Sequence, residues 1–339
     1  MNILASVSRR TFVGLGLASM MTLGTSAAWS QEATTLKFAT FVGPTSFLNV
    51  QIFEPWFKQI EAESGGSLKI EFLSGGSAAK PQEIIDSVRA GIVDIGWSIT
   101  AYNPGRFNAA GVSELPLLID GPVQGSAGMA SLYEQGLLDG FDGVKVLGVG
   151  TADVARLHHT GDIGGLAGFK GAKVRAAGAV LSDMISRIGA TPVGMPIPTV
   201  AESLAKGVLD GAASDWFALD GFRLIDVTKT HIDLPLGAAG IYLIMNKAKY
   251  DTLPDAAKAA LDKYSVRDFS EFWSERLEAE SNRVRELVST TEGHSIITPN
   301  AEETATWEAA ANEVIAAWSS STANGEAILD SFRKGAVSQ

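Results

Sequence analysis

The residue whose chemistry is easiest to interpret is Arg175. It stands in the segment 170–178, which reads KGAKVRAAG, where a short apolar strand ends and small residues follow. A guanidinium can grip a carboxylate through two parallel hydrogen bonds, and hydrogen bonds to charged groups contribute about 1.5–3 kcal/mol each. Arg175 is therefore a candidate for binding an organic acid. A surface arginine or a structural ion pair is the alternative interpretation.

The other candidates follow the ends of predicted strands. Ligands of open α/β sheets sit beyond the carboxyl ends of the strands, where helix N-termini favour negative charge. The residues at such places are Phe41, Ser98, His158, Ile197, Ser214, Asp215 and Trp216. The three large apolar ones would form the walls of a pocket. For each of these three taken alone, the hydrophobic core is the simpler interpretation.

Histidine spacing and the motif search point away from catalysis. The four histidines do not have metal-ligand spacing, and the adjacent His158 and His159 would face opposite sides of a strand. His158 is either a hydrogen-bond donor in the pocket or a structural histidine. The sequence contains no G-x-S-x-G elbow, no phosphate-binding G-x4-G-K-[ST] loop and no H-E-x-x-H pair. We therefore predict a binding protein without metal or cofactor; an exported α/β hydrolase is the less favoured alternative.

The elements that would position these residues alternate between strand and helix. In the first half, strand-like segments at 36–40, 68–73 and 94–97 are separated by helical segments at 47–64 and 81–88. In the second half, the order is a strand at 172–175, a helix at 180–188 and a strand at 191–195. This alternation predicts a mostly parallel sheet covered by helices in each half.

An internal similarity relates the two halves. Residues 86–96 and 202–212 share an acidic residue, Ser, Gly and Asp at the same places. We interpret these segments as equivalent parts of two related α/β lobes. The alternative is that helix–glycine–strand joints in unrelated α/β proteins converge on such sequences.

A long helix is predicted over about 254–290. Apolar residues recur there near helical spacing, and no Gly or Pro interrupts the segment after Pro254. At 1.5 Å per residue such a helix reaches about 50 Å, which is longer than one lobe. We therefore expect it to brace both lobes. Further helices are predicted at 301–318 and near Leu329.

The N-terminal segment 1–30 has the layout of an export signal. It combines Arg9 and Arg10, an apolar run at 12–23 and small residues before a cleavage site, and the paired arginines favour the twin-arginine route over general secretion. Removing those two arginines from the 27 basic residues leaves 25 against 38 acidic residues, a net charge of about −13. This charge argues against nucleic acid as a partner. The chain has no cysteine, so it would fold in the oxidising compartment that export implies without forming disulfide bonds.

Three blocks of the sequence resemble the extracytoplasmic binding proteins of TRAP transporters, the dicarboxylate-receptor family. They are LAGFKGAKVR at 166–175, SDMISRIGATPVGMP at 182–196 and LAKGVLDGA at 204–212. The segments 104–107 (PGRF) and 242–247 (YLIMNK) agree with it. The resemblance implies a receptor whose cleft closes over an organic acid and hands it to a membrane permease driven by an ion gradient.

The resemblance also implies a set of site residues. Arg175 would grip the carboxylate, and Phe41, Lys80, Ser98, His158, Ile197 and Ser214 would border the ligand. Two departures concern the second polar end. Residues 212–216 read AASDW where an Asn is common in the family, and Arg156 stands one residue beyond the place of a second arginine. We therefore expect a monocarboxylate with an apolar or aromatic body, rather than sialic acid or succinate.

These interpretations combine into one prediction of architecture. The fold class is α/β, a two-lobed periplasmic binding protein-like fold of type II character with a long helix bridging both lobes. Residues 1–30 are the signal peptide, 31–152 plus 241–280 form lobe I, and 153–240 plus 281–339 form lobe II. We expect a monomer that works with TRAP permease subunits. A binding protein of another importer, or a sensor, is the alternative.

Overall fold

The structure, a computed structural model, describes residues 33–337. The predicted signal peptide at 1–30 lies outside these residues. The strands are β1 Thr34–Ala39, β2 Leu68–Leu73, β3 Ile95–Ile99, β4 Val144–Thr151, β5 Arg156–His159, β6 Lys173–Ala176, β7 Thr191–Gly194, β8 Gly211–Ser214, β9 Thr230–Ile232, β10 Gly240–Asn246 and β11 Ser295–Ile297. They form two sheets, so the chain has a mixed α/β architecture.

Helices cover the sheets. They are α1 Glu54–Glu63, α2 Ile84–Arg89, α3 Pro122–Glu134, α4 Ala179–Arg187, α5 Val200–Ala205, α6 Trp216–Gly221, α7 Lys247–Asp251, α8 Asp255–Lys263, α9 Arg267–Thr290, α10 Ala301–Ser321 and α11 Gly325–Val337. A π-helical segment, Leu48–Phe53, leads into α1. Among the residues that the structure describes, no helix has both the length and the apolar character needed to cross a membrane.

Each sheet forms the centre of one lobe. The first has the strand order β2-β1-β3-β10-β4, and the second has the order β11-β9-β5-β8-β6-β7. In both, parallel strands joined through helices are supplemented by antiparallel strands that arrive from the other sheet: β10 in the first and β5 in the second. The two-lobed α/β fold expected from the sequence is confirmed. The residue limits predicted for the lobes stay a prediction.

The repeated segments have the same local structure in both lobes. Gly91 and Gly207 follow their helices with φ of 69° and 68°, a left-handed conformation that favours glycine. Asp94 then accepts a hydrogen bond from Lys37 N at 2.8 Å, and Asp210 accepts one from Lys173 N at 2.8 Å. The shared Gly and Asp therefore end a helix and fix the next strand to its neighbour in each lobe.

The long helix expected over 254–290 is interrupted, so that part of the prediction is wrong. It consists of α8 and α9, separated at Val266, whose φ is +55°. The Val266 N–H donates to Leu147 O of β4 at 2.7 Å instead of continuing the helix. The chain turns there because this contact brings α9 onto the first sheet.

The bridging role of this region belongs to α9, which spans about 36 Å. Trp273 Nε1 donates to Thr151 O of the first sheet at 2.8 Å. Further along, Arg283 pairs with Asp220 of α6, and Arg285 pairs with Asp233 next to β9. Two extended segments, 152–155 and 233–239, also pass between the sheets, and Ala155 N donates to Gly237 O at 2.8 Å. Both paired crossovers and α9 thus join the two lobes.

The packing of α9 on the first sheet depends on Gly148 of β4. A Cβ at this position would lie 2.0 Å from the ring of Phe269, so a side chain there would force either this ring or the helix α9 to move. We expect Gly148→Ala to lower the free energy of unfolding by about 1–3 kcal/mol, as other overpacked cores do. Thermal and urea denaturation measure this.

The matched control is Gly194→Ala in β7, where a Cβ meets nothing within 4 Å. Its stability is expected to stay within about 0.5 kcal/mol of the native protein. Equal stabilities of the two variants would contradict the packing described for α9.

Candidate functional site

A cavity lies between the two sheets, at the carboxyl ends of their parallel strands. Its walls come from the segments after β1, β3, β6 and β8, from both crossovers and from α9. The cavity volume open to the centres of water molecules is ≈ 60 Å³. A single water molecule requires roughly 10–15 Å³ on the same scale, so the cavity has room for several. This size suits a small molecule and excludes a polymer segment.

Most of the cavity lining is apolar and aromatic. Phe41 stacks near Trp97 with ring centroids 5.0 Å apart, and Trp97 lies 5.5 Å from Trp273 of α9. Ile197 and Phe217 contribute from the second lobe. Trp97 Nε1 is buried and has no hydrogen-bond partner among the described residues. A flat apolar group would therefore fit this wall.

Arg175 is the cation of the cavity lining and is 4% exposed. It stands near the end of β6, where its side chain extends beneath the neighbouring strands. Its Nε donates to Met195 O and its Nη1 to Ala213 O, both at 3.0 Å. Its Nη2 donates to the Tyr102 hydroxyl at 3.3 Å. A guanidinium has five N–H donors, so two remain for a ligand.

Tyr102 connects Arg175 to the other lobe. It ends the short turn after β3, and its hydroxyl accepts from Arg175 and from Ile197 N, the latter at 3.0 Å. A phenol offers two acceptor positions and one donor. Because both acceptor positions are used, the hydroxyl proton is available to a ligand in the cavity that Tyr102 lines.

Three carboxyl groups also line the cavity, namely those of Glu114, Asp153 and Asp215. Burial raises the pKa of Glu114 to about 7, with Arg175 acting in the opposite direction. Burial, together with the charge of Asp153, raises the pKa of Asp215 to about 7. Burial raises the pKa of Asp153 itself to about 6. The polar lining thus combines one guanidinium with three acids that are partly protonated near neutral pH.

The structure brings together five of the residues singled out from the sequence. Arg175, Phe41, Ile197, Ser214 and Asp215 all line the cavity. They converge because each lies at or just after the end of a strand, at the edge where the lobes meet. Asp215 also accepts from Ala218 N at 2.8 Å and so caps α6.

The other five do not line the cavity. Ser98 lies on the face of β3 opposite Trp97 and Ile99, and donates to Pro81 O at 2.7 Å. Lys80 is exposed before α2. Arg156 is turned away, pairing with Asp233 at 2.8 Å. Strand alternation explains two of these cases, since one residue of displacement reverses the face on which a side chain lies.

His158 and Trp216 lie in the core of the second lobe. His158 Nε2 lies 3.1 Å from Ser214 O, and its Nδ1 lies 2.9 Å from His231 Nδ1. The Trp216 ring packs on His158 at a centroid distance of 5.4 Å. Burial lowers the pKa of His158 to about 3, so this histidine is neutral and structural. Neither residue lines the cavity, and their expected place beside a ligand stays a prediction.

Sequence reasoning missed Tyr102, Glu114, Asp153, Trp97 and Trp273. Trp97 directly precedes Ser98, so the correct strand end was chosen with the wrong face. Glu114 and Asp153 lie in segments without regular periodicity, and nothing local indicates that they become buried. Tyr102 follows the same strand by a short turn, a distance that a strand-end rule does not cover.

The two sheets and the cavity between them define a two-lobed α/β fold like that of periplasmic binding proteins. The family model "Bacterial extracellular solute-binding protein, family 7" matches residues 38–321. The chain therefore belongs to this family, as the resemblance to TRAP receptors predicted.

Similar proteins agree with this assignment. A marine-metagenome TRAP solute binding protein specific for aromatic acid ligands, solved with metahydroxyphenylacetate, is 28% identical with a TM-score of 0.85, covering 89% of this chain and 98% of that one. A TRAP solute binding protein from Rhodoferax ferrireducens T118 with copurified benzoate is 28% identical with a TM-score of 0.84, covering 90% and 98%. The uncharacterized protein YiiZ of Salmonella typhimurium is 26% identical over 173 residues, 48% of this chain, and the match spans about half (51%) of YiiZ.

Glu114 generates a prediction on pH. Its pKa rises from 4.5 to about 7 on folding, so the folded state holds a proton that the unfolded state loses between these values. This contribution is fully present below pH 4.5 and is lost as the pH rises through 7. The glutamine of the Glu114→Gln variant has no group that ionises. We therefore expect the free energy of unfolding of this variant, relative to that of the native protein, to increase by up to about 3 kcal/mol between pH 4 and pH 8.

Melting temperatures measured across this pH range test the prediction. Glu308→Gln, at an exposed position of α10, is the control for the effect of the same substitution on stability at the surface. A Glu114→Gln difference that does not change between pH 4 and pH 8 would show that burial does not disfavour the ionised form of this carboxyl.

Proposed function

We propose that the chain is the periplasmic receptor of a TRAP transporter, which captures a small organic monocarboxylate and delivers it to the permease subunits in the membrane. The observation that carries the proposal is Arg175, a buried guanidinium with two unused N–H donors in an apolar cavity between two lobes. Membership of the solute-binding family supports the same function.

The charge distribution of the cavity favours one carboxylate over two. Arg175 faces three carboxyl groups, those of Glu114, Asp153 and Asp215. Arg156, the other arginine nearby, is held by Asp233 and by the carbonyls of Val154 and Ala155. A second ligand carboxylate would therefore enter a low-dielectric space next to like charges, without a cation to compensate it.

The body of the ligand is proposed to be apolar, and aromatic in preference. The rings of Phe41, Trp97 and Trp273 are arranged with centroids 5.0–5.5 Å apart, which leaves faces and edges for a further ring. Similar proteins that hold aromatic acids support this choice.

Closure of the lobes would depend on the same groups. Arg175 belongs to the second lobe and Tyr102 to the first, and they are already hydrogen-bonded in the present conformation. A ligand can shift the balance between open and closed forms only by binding one of them better. A carboxylate that accepts from both residues binds the closed form better, since opening separates its donors.

The remaining parts of the proposal concern the cell. We place the mature protein in the periplasm, exported by the twin-arginine route through the segment 1–30, as a monomer with no nucleic-acid partner. The role requires no chemical transformation of the ligand and no cofactor.

Substitution of Arg175 tests the proposal. We expect Arg175→Ala and Arg175→Lys to weaken the binding of benzoate or phenylacetate by about 100-fold or more, because the paired charged hydrogen bonds are lost. Titration calorimetry measures the affinity. Ligand at 100 times its dissociation constant for the native protein should stabilise that protein by about 2.7 kcal/mol, seen as a higher melting temperature, and should leave the melting temperatures of both variants nearly unchanged.

The control is Arg187→Ala, which removes an arginine of α4 that pairs with Asp183 at the surface. Circular dichroism confirms that each variant is folded. Undiminished affinity in a folded Arg175→Lys protein, or binding of succinate in preference to the monocarboxylates, would contradict the proposal.

A further inference from the structure

Two of the three acids of the cavity, Asp153 and Asp215, lie on its crossover side. Asp153 belongs to the crossover 152–155, and Asp215 follows β8, whose neighbour β5 begins where this crossover ends. The charge of Asp153 acts on Asp215, and Asp215 also feels Arg175 and Arg156. Asp215 is therefore close enough to Asp153 and to Arg175 to feel the charge of both.

One carboxylate oxygen of Asp215 is available to the cavity. Oδ1 accepts from Ala218 N and is used in capping α6. Asp215 lies deep in the molecule, yet part of its surface is accessible. Because Asp215 lines the cavity, this surface opens onto it. The other carboxylate oxygen of Asp215 has no hydrogen-bond partner among the described residues, so it can accept from a molecule in the cavity.

Two other residues of the lining carry polar atoms without partners. Trp97 is 3% exposed and Glu114 is 7% exposed, and both line the cavity. Trp97 Nε1 and Glu114 Oε2 have no hydrogen-bond partner among the described residues. Buried polar atoms without partners cost free energy, so the protein alone does not fully satisfy the polar groups of these two residues.

We propose that Asp215, with Asp153 beside it, accepts a hydrogen bond from a hydroxyl group of the ligand, so that the receptor selects hydroxy-substituted monocarboxylates over their unsubstituted parents. The inference rests on the proposed function, in which Arg175 holds the carboxylate. It adds a second point of recognition and assigns it to a residue.

A neutral hydroxyl suits this place better than an ammonium group. Burial raises the pKa of Asp215 to about 7 and that of Asp153 to about 6, so the pair does not carry two full charges near neutral pH. A cation would lose its hydration for incomplete compensation, whereas a hydroxyl needs one acceptor.

Asp215→Asn replaces the free hydrogen-bond acceptor of this side chain by a donor, with little change of shape. Asn is as good an N-cap as Asp, so its oxygen can keep the bond from Ala218 N while its amide NH₂ replaces the free oxygen. The cavity then presents a donor where it presented an acceptor. Asp220→Asn is the matched control, since Asp220 lies on the same helix and pairs with Arg283 at the surface.

Titration calorimetry uses phenylacetate, its three ring-hydroxylated isomers, the corresponding methyl ethers and a ring-amino analogue. In the native protein and in Asp220→Asn, at least one hydroxy isomer is expected to bind about tenfold or more tightly than phenylacetate, and tighter than its methyl ether. In Asp215→Asn the ratio of hydroxy to parent affinity is expected to fall below about threefold, and the ratio of methyl ether to parent to rise.

Three results would overturn the inference: native protein that binds no hydroxy isomer better than phenylacetate, an advantage that survives in Asp215→Asn, or a preference for the amino analogue. In each of these the acids still bind, so the proposed function stands. Failure of every acid to bind the native protein would instead reject the proposed function, and the inference with it.

Discussion

The structure depends on a buried guanidinium that has no carboxylate partner of its own. Among residues 33–337, Arg175 forms no ion pair, and its three hydrogen bonds go to two carbonyls and a phenol. Neutral acceptors fix its orientation without neutralising its charge. Removing such a charge from water is costly, and an anion that arrives between the lobes restores the missing interaction. The fold thus positions an arginine without giving it a direct ion pair, and in the proposed function the ligand carboxylate supplies that pair.

The architecture explains why this arginine lies where two lobes meet. In each lobe, parallel strands end at the same edge, and the glycine and aspartate of the repeated helix–strand joint fix those strands in register. The crossovers at 152–155 and 233–239 place the two edges opposite each other. The cavity is thus bounded by both lobes, and any molecule that contacts both walls opposes their separation.

The sequence predicted the fold in considerable detail, and the reason is local. The Gly and Asp at 91 and 94 and at 207 and 210 have the same roles in both lobes, because helix ends and strand starts are set by neighbouring residues. The break at Val266 was missed because it comes from a contact with Leu147, which is distant in sequence. A helix without Gly or Pro can still be interrupted when a strand offers its backbone a better partner.

The site was predicted less completely. Arg175, Phe41, Ile197, Ser214 and Asp215 follow strand ends and line the cavity, whereas Ser98 was one residue from Trp97, which does line it. Strand ends locate the edge of a sheet, but the face of a side chain depends on single-residue register. Tyr102, Glu114 and Asp153 reach the cavity through turns and crossovers, whose course only the folded chain reveals.

The central claim concerns where the anionic end of the ligand lies, and a crystal structure of the protein with a bound aromatic acid tests it most directly. The account predicts a carboxylate oxygen about 2.7–3.1 Å from the Nη atoms of Arg175, with a second contact to the Tyr102 hydroxyl and the ring against Phe41 and Trp97. A carboxylate held by another cation, with Arg175 still bonded only to Met195, Ala213 and Tyr102, would contradict it.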